Sequence, residues 1–190
     1  MSNNTPNNFA GFHVRQTPMT ADEQVRAERA QLIRNEIEEI VSVVGASFLD
    51  RSPIIGAINP LAMPMTITTS IDENGRVNVV GSVTFGSAYE GPPGCVHGGV
   101  IAAYFDEVCG VAQSTTGNPG MTVNLTIDYR APTPLHKPLE FRAYVASTEK
   151  RKIITSASLH HGETLCAEAT GIFVSMRPEI FERLTQLRDA

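Results

Sequence analysis

One segment of the chain, residues 97–114, constrains the fold more than any other. From Gly98 onward it predicts a helix whose apolar side chains lie on nearly every face, in the run Val100-Ile101-Ala102-Ala103-Tyr104-Phe105-Asp106-Glu107-Val108-Cys109. A helix that is apolar all round is buried on most sides. The rest of the chain must therefore supply a layer that surrounds it.

Strand patterns on both sides of this helix predict such a layer. Before it, alternating side chains predict strands over 65–71 and 77–85, joined by a turn at Asn74-Gly75. After it, stretches rich in β-branched and aromatic residues predict four strands: Met121–Tyr129, Leu139–Ser147, Lys152–His160 and Thr164–Ser175. This order favours the α+β class. We expect a long antiparallel sheet wrapped around a central helix, the architecture called hotdog.

The two ends of the chain predict extensions rather than a second domain. Residues 1–18 are rich in Asn, Thr and Pro, which is typical of a loosely packed or disordered tail. Thr20 and Glu23 form a capping box that opens a helix to about Val44. Pro178 suits the first turn of a short C-terminal helix. We therefore expect a tail and helix over 1–50, a hotdog domain over 51–177 and a short helix over 178–190.

Composition excludes several classes of partner and site. The net charge of −5 argues against binding to nucleic acid, and no apolar run reaches the roughly 20 residues that a membrane span needs. The N-terminus has neither a basic region nor an apolar region of a secretory signal. The three cysteines have no zinc-ligand spacing, and their small, odd number favours free thiols in the cytoplasm. We expect no metal.

Asp106 is the first candidate for catalysis, because it lies in the middle of a helix with almost no polar face. A buried carboxylate without partners is costly, and catalytic groups need the shifted pKa values that such surroundings produce. The alternative is that Asp106 faces a solvated gap in the sheet or caps a neighbouring turn. Glu107 lies about 100° further round the helix, and we expect it to be solvated or to belong to a helix end.

The start of the helix is the second candidate. In His97-Gly98-Gly99, two residues without side chains stand where unpaired N–H groups and the helix dipole favour negative charge. A carbonyl that becomes an oxyanion during acyl transfer needs this kind of donor. The alternative is a tight turn into the helix that needs glycine for its own geometry.

Geometry separates these two features within one chain. Asp106 follows His97 by nine positions, which is roughly 13 Å along the helix axis. One helix cannot bring both to one carbonyl carbon, whereas two antiparallel copies can. We therefore expect a homo-oligomer, either a dimer or a dimer of dimers, with Gly98 of one subunit facing Asp106 of another.

The segment GPPGCVHGGVIAAYFDEVCG resembles the signature of hotdog acyl-CoA thioesterases. It is closest to the branch that includes the phenylacetate-pathway thioesterases and their mitochondrial long-chain relatives. Those proteins share HGG at the start of the central helix and an acid nine residues after the His. The resemblance covers about residues 60–176. It implies hydrolysis of acyl-CoA to a free acid and CoA, with no cofactor.

The resemblance also implies roles for single residues. Asp106 is the nucleophile or activates water, the Gly98 amide beside Gly99 polarises the carbonyl, and His97 orients the loop or the substrate. Thr122 stands where several relatives carry an assisting hydroxyl. Many relatives have Asn six residues before the His, where this chain has Gly91.

Coenzyme A needs cationic contacts for its phosphates. Relatives use basic residues near the third strand and in the hairpin after the fourth, which favours Arg130 and Arg151 over Lys137, Lys150 and Lys152. Asn124 is a further candidate for substrate binding. Solvated strand ends are the alternative for each of the basic residues.

Three other functions compete with hydrolysis. A Cys95–His97 nucleophile pair has no third orienting group in the sequence. An enoyl-thioester hydratase would need an Asp and a His five apart in a loop, or a His before Phe-Pro, and neither pattern is present. A non-catalytic acyl-CoA-binding module stays open, although the intact helix start and Asp106 argue against it.

Overall fold

The computed structural model describes residues 20–43, 52–56, 59, 62–118, 120–177, 179–180, 182–183 and 186, without the side chains of 23 and 37–43. The chain divides into two compact units, residues 1–45 and 46–190. The first contains helix α1, Ala21–Val43, which confirms the predicted helix. The expected tail, the predicted helix end near Val44 and the capping carboxylate of Glu23 lie outside the described atoms, as does most of the C-terminal helix.

The second unit is a six-stranded antiparallel sheet with one helix packed against it. Every predicted strand and the central helix are confirmed, and most ends agree within two residues. The elements are β1 Thr66–Ile71, β2 Val77–Val83, α2 Gly98–Ser114, β3 Gly120–Tyr129, β4 Leu139–Glu149, β5 Lys152–His161 and β6 Thr164–Ser175. The strand order is β1-β2-β4-β5-β6-β3. The expected hotdog architecture is therefore correct.

Helix α2 packs against β2, β3, β4, β5 and β6, so the sheet covers it along its length. Phe105, Val108 and Cys109 have no solvent exposure. Gly171 on β6 lies close to the helix, because a Cβ there would be 3.3 Å from Cys109 Cβ on α2 and 2.7 Å from Thr155 Oγ1 on β5. A glycine is therefore needed here for the helix and the sheet to meet.

Strand β3 forms one edge of the sheet and carries a β-bulge. Its register with β6 shifts between Thr122 and Asn124, so Val123 is the extra residue. Beyond the bulge, Leu125 and Ile127 pack against the core and Tyr129 reaches α2. Without the extra residue, Thr122 would face away from them, because side chains alternate along a strand. The bulge therefore turns Thr122 towards α2.

The segment before β1 is held to α2 by side chains. The Tyr104 hydroxyl lies at hydrogen-bonding distance from two backbone carbonyls, Ile54 O at 2.8 Å and Met63 O. One turn further along the helix, Glu107 Oε1 accepts a hydrogen bond from Ser52 Oγ at 2.8 Å.

No helix in the described part of the chain has the length and apolar character needed to cross a membrane.

Candidate active site

The start of α2 is capped by the side chain of the residue that precedes it. His97 has extended backbone angles, φ −61° and ψ 131°, and its Nδ1 accepts the N–H of Gly99 at 3.0 Å. A Cβ on Gly99 would lie 3.1 Å from Nδ1, so the glycine makes room for the ring. Since Nδ1 is an acceptor, a neutral His97 carries its proton on Nε2. This side chain is an N-cap, and no hydrogen bond joins it to Cys95 among the described residues.

The backbone carbonyl and the backbone N–H of Gly98 differ in their hydrogen bonding. Its carbonyl accepts a hydrogen bond from the Tyr129 hydroxyl at 2.7 Å, whereas its N–H donates to no described residue. The N–H is the first of a helix, where the dipole favours negative charge. Beside it lies a cavity of about 390 Å³ lined by Pro92, Cys95, Val96, Gly98, Ile101, Tyr129, Arg130, Ala131, Pro132 and Thr133. A larger groove of about 670 Å³ contains none of the predicted site residues.

Gly91 lies against the backbone of the capping residue. A Cβ at this position would be 2.7 Å from His97 Cα. The Gly91 N–H donates to Cys95 O at 2.9 Å, which closes the loop tightly. An asparagine, as many relatives carry here, would displace His97 in this loop conformation. The chain therefore holds its helix start by close backbone packing where those relatives have a side chain.

Asp106 lies on the side of α2 that faces the edge strand. Its Oδ1 accepts the Thr122 hydroxyl at 2.9 Å, and no described residue donates to Oδ2. The side chain is only partly buried, so the expectation of a buried carboxylate is not met within one chain. Thr122, the assisting hydroxyl that the resemblance implies, thus lies beside Asp106. This pair leaves one carboxylate oxygen available to a ligand.

The candidate residues fall into two groups. His97, Gly98 and Gly99 lie at the helix start, whereas Asp106 and Thr122 lie roughly 12 Å further along the axis. The same separation holds on β3, where Tyr129 contacts Gly98 and Thr122 contacts Asp106. One chain therefore contains two half-sites that do not meet.

The three predicted substrate contacts lie in different places. Arg130 follows β3 beside Gly98, where its guanidinium pairs with Glu168 at 3.0 Å and Asp128 at 3.3 Å. Arg151 lies beyond the other end of β3 and donates to Ser175 O at 2.9 Å and 2.7 Å. Asn124 accepts the Thr126 hydroxyl at 3.1 Å and alternates with core-facing Leu125, so it faces away from α2.

Comparison with known proteins identifies the family. The family model described as "Thioesterase superfamily" matches residues 93–169. A crystal structure of a thioesterase superfamily protein is 33% identical in sequence, with a TM-score of 0.64. The alignment covers 85% of this chain and 82% of that one. The chain belongs to the thioesterase superfamily.

Curated relatives within this superfamily match a shorter region. Acyl-coenzyme A thioesterase THEM4 of Xenopus laevis is 38% identical over 95 residues, which is 49% of this chain and 43% of that protein. Its counterpart in Mus musculus is 36% identical over 92 residues, 47% of this chain and 40% of that protein. The chain thus spans less than half the length of these two relatives.

Glu107 differs from the expectation of a solvated or helix-end residue. It lies in the middle of α2, is partly buried and accepts the hydroxyl hydrogen bond of Ser52, itself only 1% exposed. Burial raises the pKa of Glu107, the Ser52 hydrogen bond lowers it, and the charge of Asp106 raises it further. No local pattern predicts this contact, because Ser52 is 55 residues away.

Replacing Glu107 by Gln is expected to stabilise the fold at neutral pH and to leave it unchanged in acid. A carboxyl pKa raised by folding means that the folded state binds protons more tightly. The contribution of Glu107 to stability is therefore complete below the ordinary carboxyl pKa and is lost as pH rises through the raised pKa. Thermal unfolding from pH 4 to pH 8 measures this. Glu149→Gln, at an exposed site, is the control, and equal curves for Glu107→Gln and wild type would contradict the prediction.

Tyr129 was absent from the sequence prediction, although it contacts Gly98 directly. The one signal available was an aromatic residue at the end of a predicted strand, next to the predicted phosphate contact Arg130.

The described residues hold no cluster of three His, Cys, Asp or Glu side chains placed to bind a metal ion.

Proposed function

We propose that this thioesterase superfamily protein hydrolyses acyl-CoA to a free carboxylic acid and CoA. The relatives from Xenopus laevis and Mus musculus are named acyl-coenzyme A thioesterases, which supports this substrate class. The observation that carries the proposal is the unpartnered N–H of Gly98, which stands at the start of the central helix beside a cavity. We assign this activity to residues 51–177.

The Gly98 N–H supplies the donor for the thioester carbonyl. Attack on that carbonyl places negative charge on its oxygen, and a fixed backbone donor stabilises this charge without reorganisation. The helix dipole adds to the effect. Glycine lets the thioester approach closely, because it has no side chain, and the atoms nearest to a Cβ built there belong to Tyr129 at 3.4 Å or more.

Asp106 supplies the carboxylate. Thr122 holds Oδ1, so Oδ2 remains for the reaction. Along one route Oδ2 attacks the carbonyl carbon, the CoA thiolate leaves, and water hydrolyses the resulting anhydride. Along the other, Oδ2 takes a proton from the water that attacks. Both routes end in the same two products.

The active unit in this proposal is a homodimer, or a dimer of such dimers. Edge strand β3 has a free edge among the described strands, and Met121 and Val123 on it are 55% and 59% exposed. Helix α2 offers Asp106 and, one turn later, Gly110, where no atom lies within 4 Å of a built Cβ. A second copy packed antiparallel on this face would bring its Asp106 to Gly98 of the first.

Arg130 binds a phosphate of CoA in this proposal, in competition with two carboxylates. Replacing Glu168 by Gln removes one of them and is therefore expected to lower KM for acyl-CoA by about 2–5-fold, with kcat unchanged. The difference should shrink as salt screens the charges. Steady-state kinetics at two ionic strengths measure it. Glu163→Gln, on the turn between β5 and β6, is the control, and an unchanged KM in Glu168→Gln would remove Arg130 from the phosphate site.

The experiment that tests the function is release of CoA thiol by the purified full chain, over a panel of aliphatic and aromatic acyl-CoAs. Thiol release with formation of the free acid supports hydrolysis, and the preferred chain length defines the substrate. Binding of acyl-CoA without turnover would identify a binding module. Hydration of an enoyl-CoA without thiol release would identify a hydratase.

We also propose a cytoplasmic location, which the free thiols of Cys95, Cys109 and Cys166 support.

A further inference from the structure

Tyr129 joins the edge strand to the start of the central helix. It is the last residue of β3, and its hydroxyl donates to the carbonyl of Gly98 at 2.7 Å across 31 positions of sequence. The ring also lies alongside Gly98, because a Cβ there would be 3.4 Å from Tyr129 Oη and 3.5 Å from Cζ. Both the hydroxyl and the ring therefore fix the position of this glycine.

The carbonyl that Tyr129 contacts belongs to the peptide group whose N–H is capped by the side chain of His97. The Gly98 carbonyl and the Gly99 N–H form one planar unit. That N–H donates to His97 Nδ1 at 3.0 Å. The hydrogen bonds thus form a chain from the Tyr129 hydroxyl through the 98–99 peptide group to the His97 ring. A hydrogen bond to the carbonyl polarises the peptide group and strengthens its N–H as a donor.

Without this chain of hydrogen bonds, the two glycines at the helix start would leave the turn free to move. Gly98 and Gly99 have no Cβ to restrict their dihedral angles. Backbone packing of Gly91 restrains His97 from one side, where a Cβ would be 2.7 Å from His97 Cα. The Tyr129 hydroxyl restrains the 98–99 peptide group from the other side. Removal of that hydroxyl leaves the peptide group with one fewer fixed contact.

We infer that Tyr129 is a positioning residue of the proposed thioesterase site, which holds the Gly98 amide and the His97 ring in place through the 98–99 peptide group. The inference rests on the proposed function. It assigns Tyr129 no contact with the reacting atoms. A tyrosine hydroxyl is protonated across the neutral range, and partial desolvation raises the pKa of Tyr129 further, so its hydroxyl remains a donor. The edge strand and the helix start are thereby linked in one unit.

The test is Tyr129→Phe, which removes the hydroxyl and keeps the ring. The expected result is a fall in kcat of about tenfold with KM within about twofold, because misplaced donors weaken the transition state more than substrate binding. Tyr144→Phe is the matched control, since the Tyr144 ring packs under Arg76 at 4.4 Å, on a different strand. An unchanged kcat, or a rise in KM alone, would overturn the inference, and the latter would make Tyr129 a substrate contact.

A double-mutant cycle separates positioning from a general loss of stability. In a His97→Ala background the end of the hydrogen-bonded chain is missing. Adding Tyr129→Phe to that background should therefore lower kcat by less than about threefold. Equal costs in both backgrounds would contradict a link through the 98–99 peptide group. Thermal unfolding of each variant shows that the assays are made on folded protein.

Nitrogen NMR of the His97 ring provides a readout that does not need turnover. In the wild type, the chemical shift of Nδ1 should be that of an unprotonated nitrogen that accepts a hydrogen bond. The chemical shift of Nε2 should be that of a protonated nitrogen. Tyr129→Phe should move the Gly99 amide signal and mix the two ring tautomers. A wild type that fails to hydrolyse acyl-CoA would refute the proposed function alone. Unchanged His97 and Gly99 signals in Tyr129→Phe would refute the positioning role alone.

Discussion

Asp106→Asn is expected to lower kcat for acyl-CoA by about 10²-fold or more, with the fold intact. Asparagine keeps an oxygen that can accept the Thr122 hydroxyl, which in the wild type lies 2.9 Å from Oδ1. It can neither attack a carbonyl carbon efficiently nor take a proton from water. The loss should therefore appear in the chemical step, and KM should change little.

Thiol release under saturating acyl-CoA measures this effect. Glu107→Gln is the matched control, because it removes the neighbouring carboxylate on the same helix, one that is bound to Ser52 instead of Thr122. The kcat of Thr122→Val should lie between those of Asp106→Asn and Glu107→Gln, about tenfold below that of the wild type. Retention of more than a tenth of wild-type kcat in Asp106→Asn would exclude this carboxylate from the reaction.

Gly98→Pro is expected to lower kcat by about 10²–10³-fold, the loss typical of removing one oxyanion donor. Proline lacks the N–H, yet it suits the first position of a helix. The preceding residue already has the extended angles that proline requires, with ψ 131° at His97. No described residue accepts a hydrogen bond from Gly98 N–H, so the fold loses no contact there.

Gly98→Ala is the control for this substitution, because it adds a side chain and keeps the N–H. The new Cβ would be 3.4 Å from Tyr129 Oη, an ordinary contact. Alanine should therefore retain far more activity than proline. Equal losses in the two variants would mean that space at Gly98, and not its N–H, is what the reaction needs.

Local patterns were sufficient to predict the elements of this fold. Asn74-Gly75 marked the first hairpin, and Gly75 has the left-handed φ of 77° that such a turn requires. The apolar run from Val100 to Cys109 marked the buried helix. These signals depend on neighbours in sequence, so they are visible without a structure.

The candidate site depends on contacts that are distant in sequence, and this is where prediction was incomplete. Thr122 and Tyr129 are an odd number of positions apart, which in a regular strand places them on opposite faces. Only the bulge at Val123 lets both face α2. The contact of Glu107 with Ser52 and the closeness of Gly91 to His97 likewise follow from the folded chain.

The predicted phosphate contacts show the same limit. Basic side chains can be counted in a sequence, whereas their partners cannot. Arg130 lies beside the Gly98 cavity but is paired with Asp128 and Glu168. Arg151 lies beyond the opposite end of β3, where it is bound to Ser175 O. Both could serve one substrate only if a second copy brought the two ends together.

In the proposed dimer, one active site combines Gly98 of one subunit with Asp106 of another. The most direct test mixes the two inactive variants, Asp106→Asn and Gly98→Pro, under conditions that exchange subunits. A mixed dimer then has one site with both residues intact and one site with both lost. Random mixing of equal amounts makes about half of the dimers mixed, so thiol release should recover to about a quarter of the wild-type rate. No recovery, with mixed dimers shown to form, would contradict the shared site.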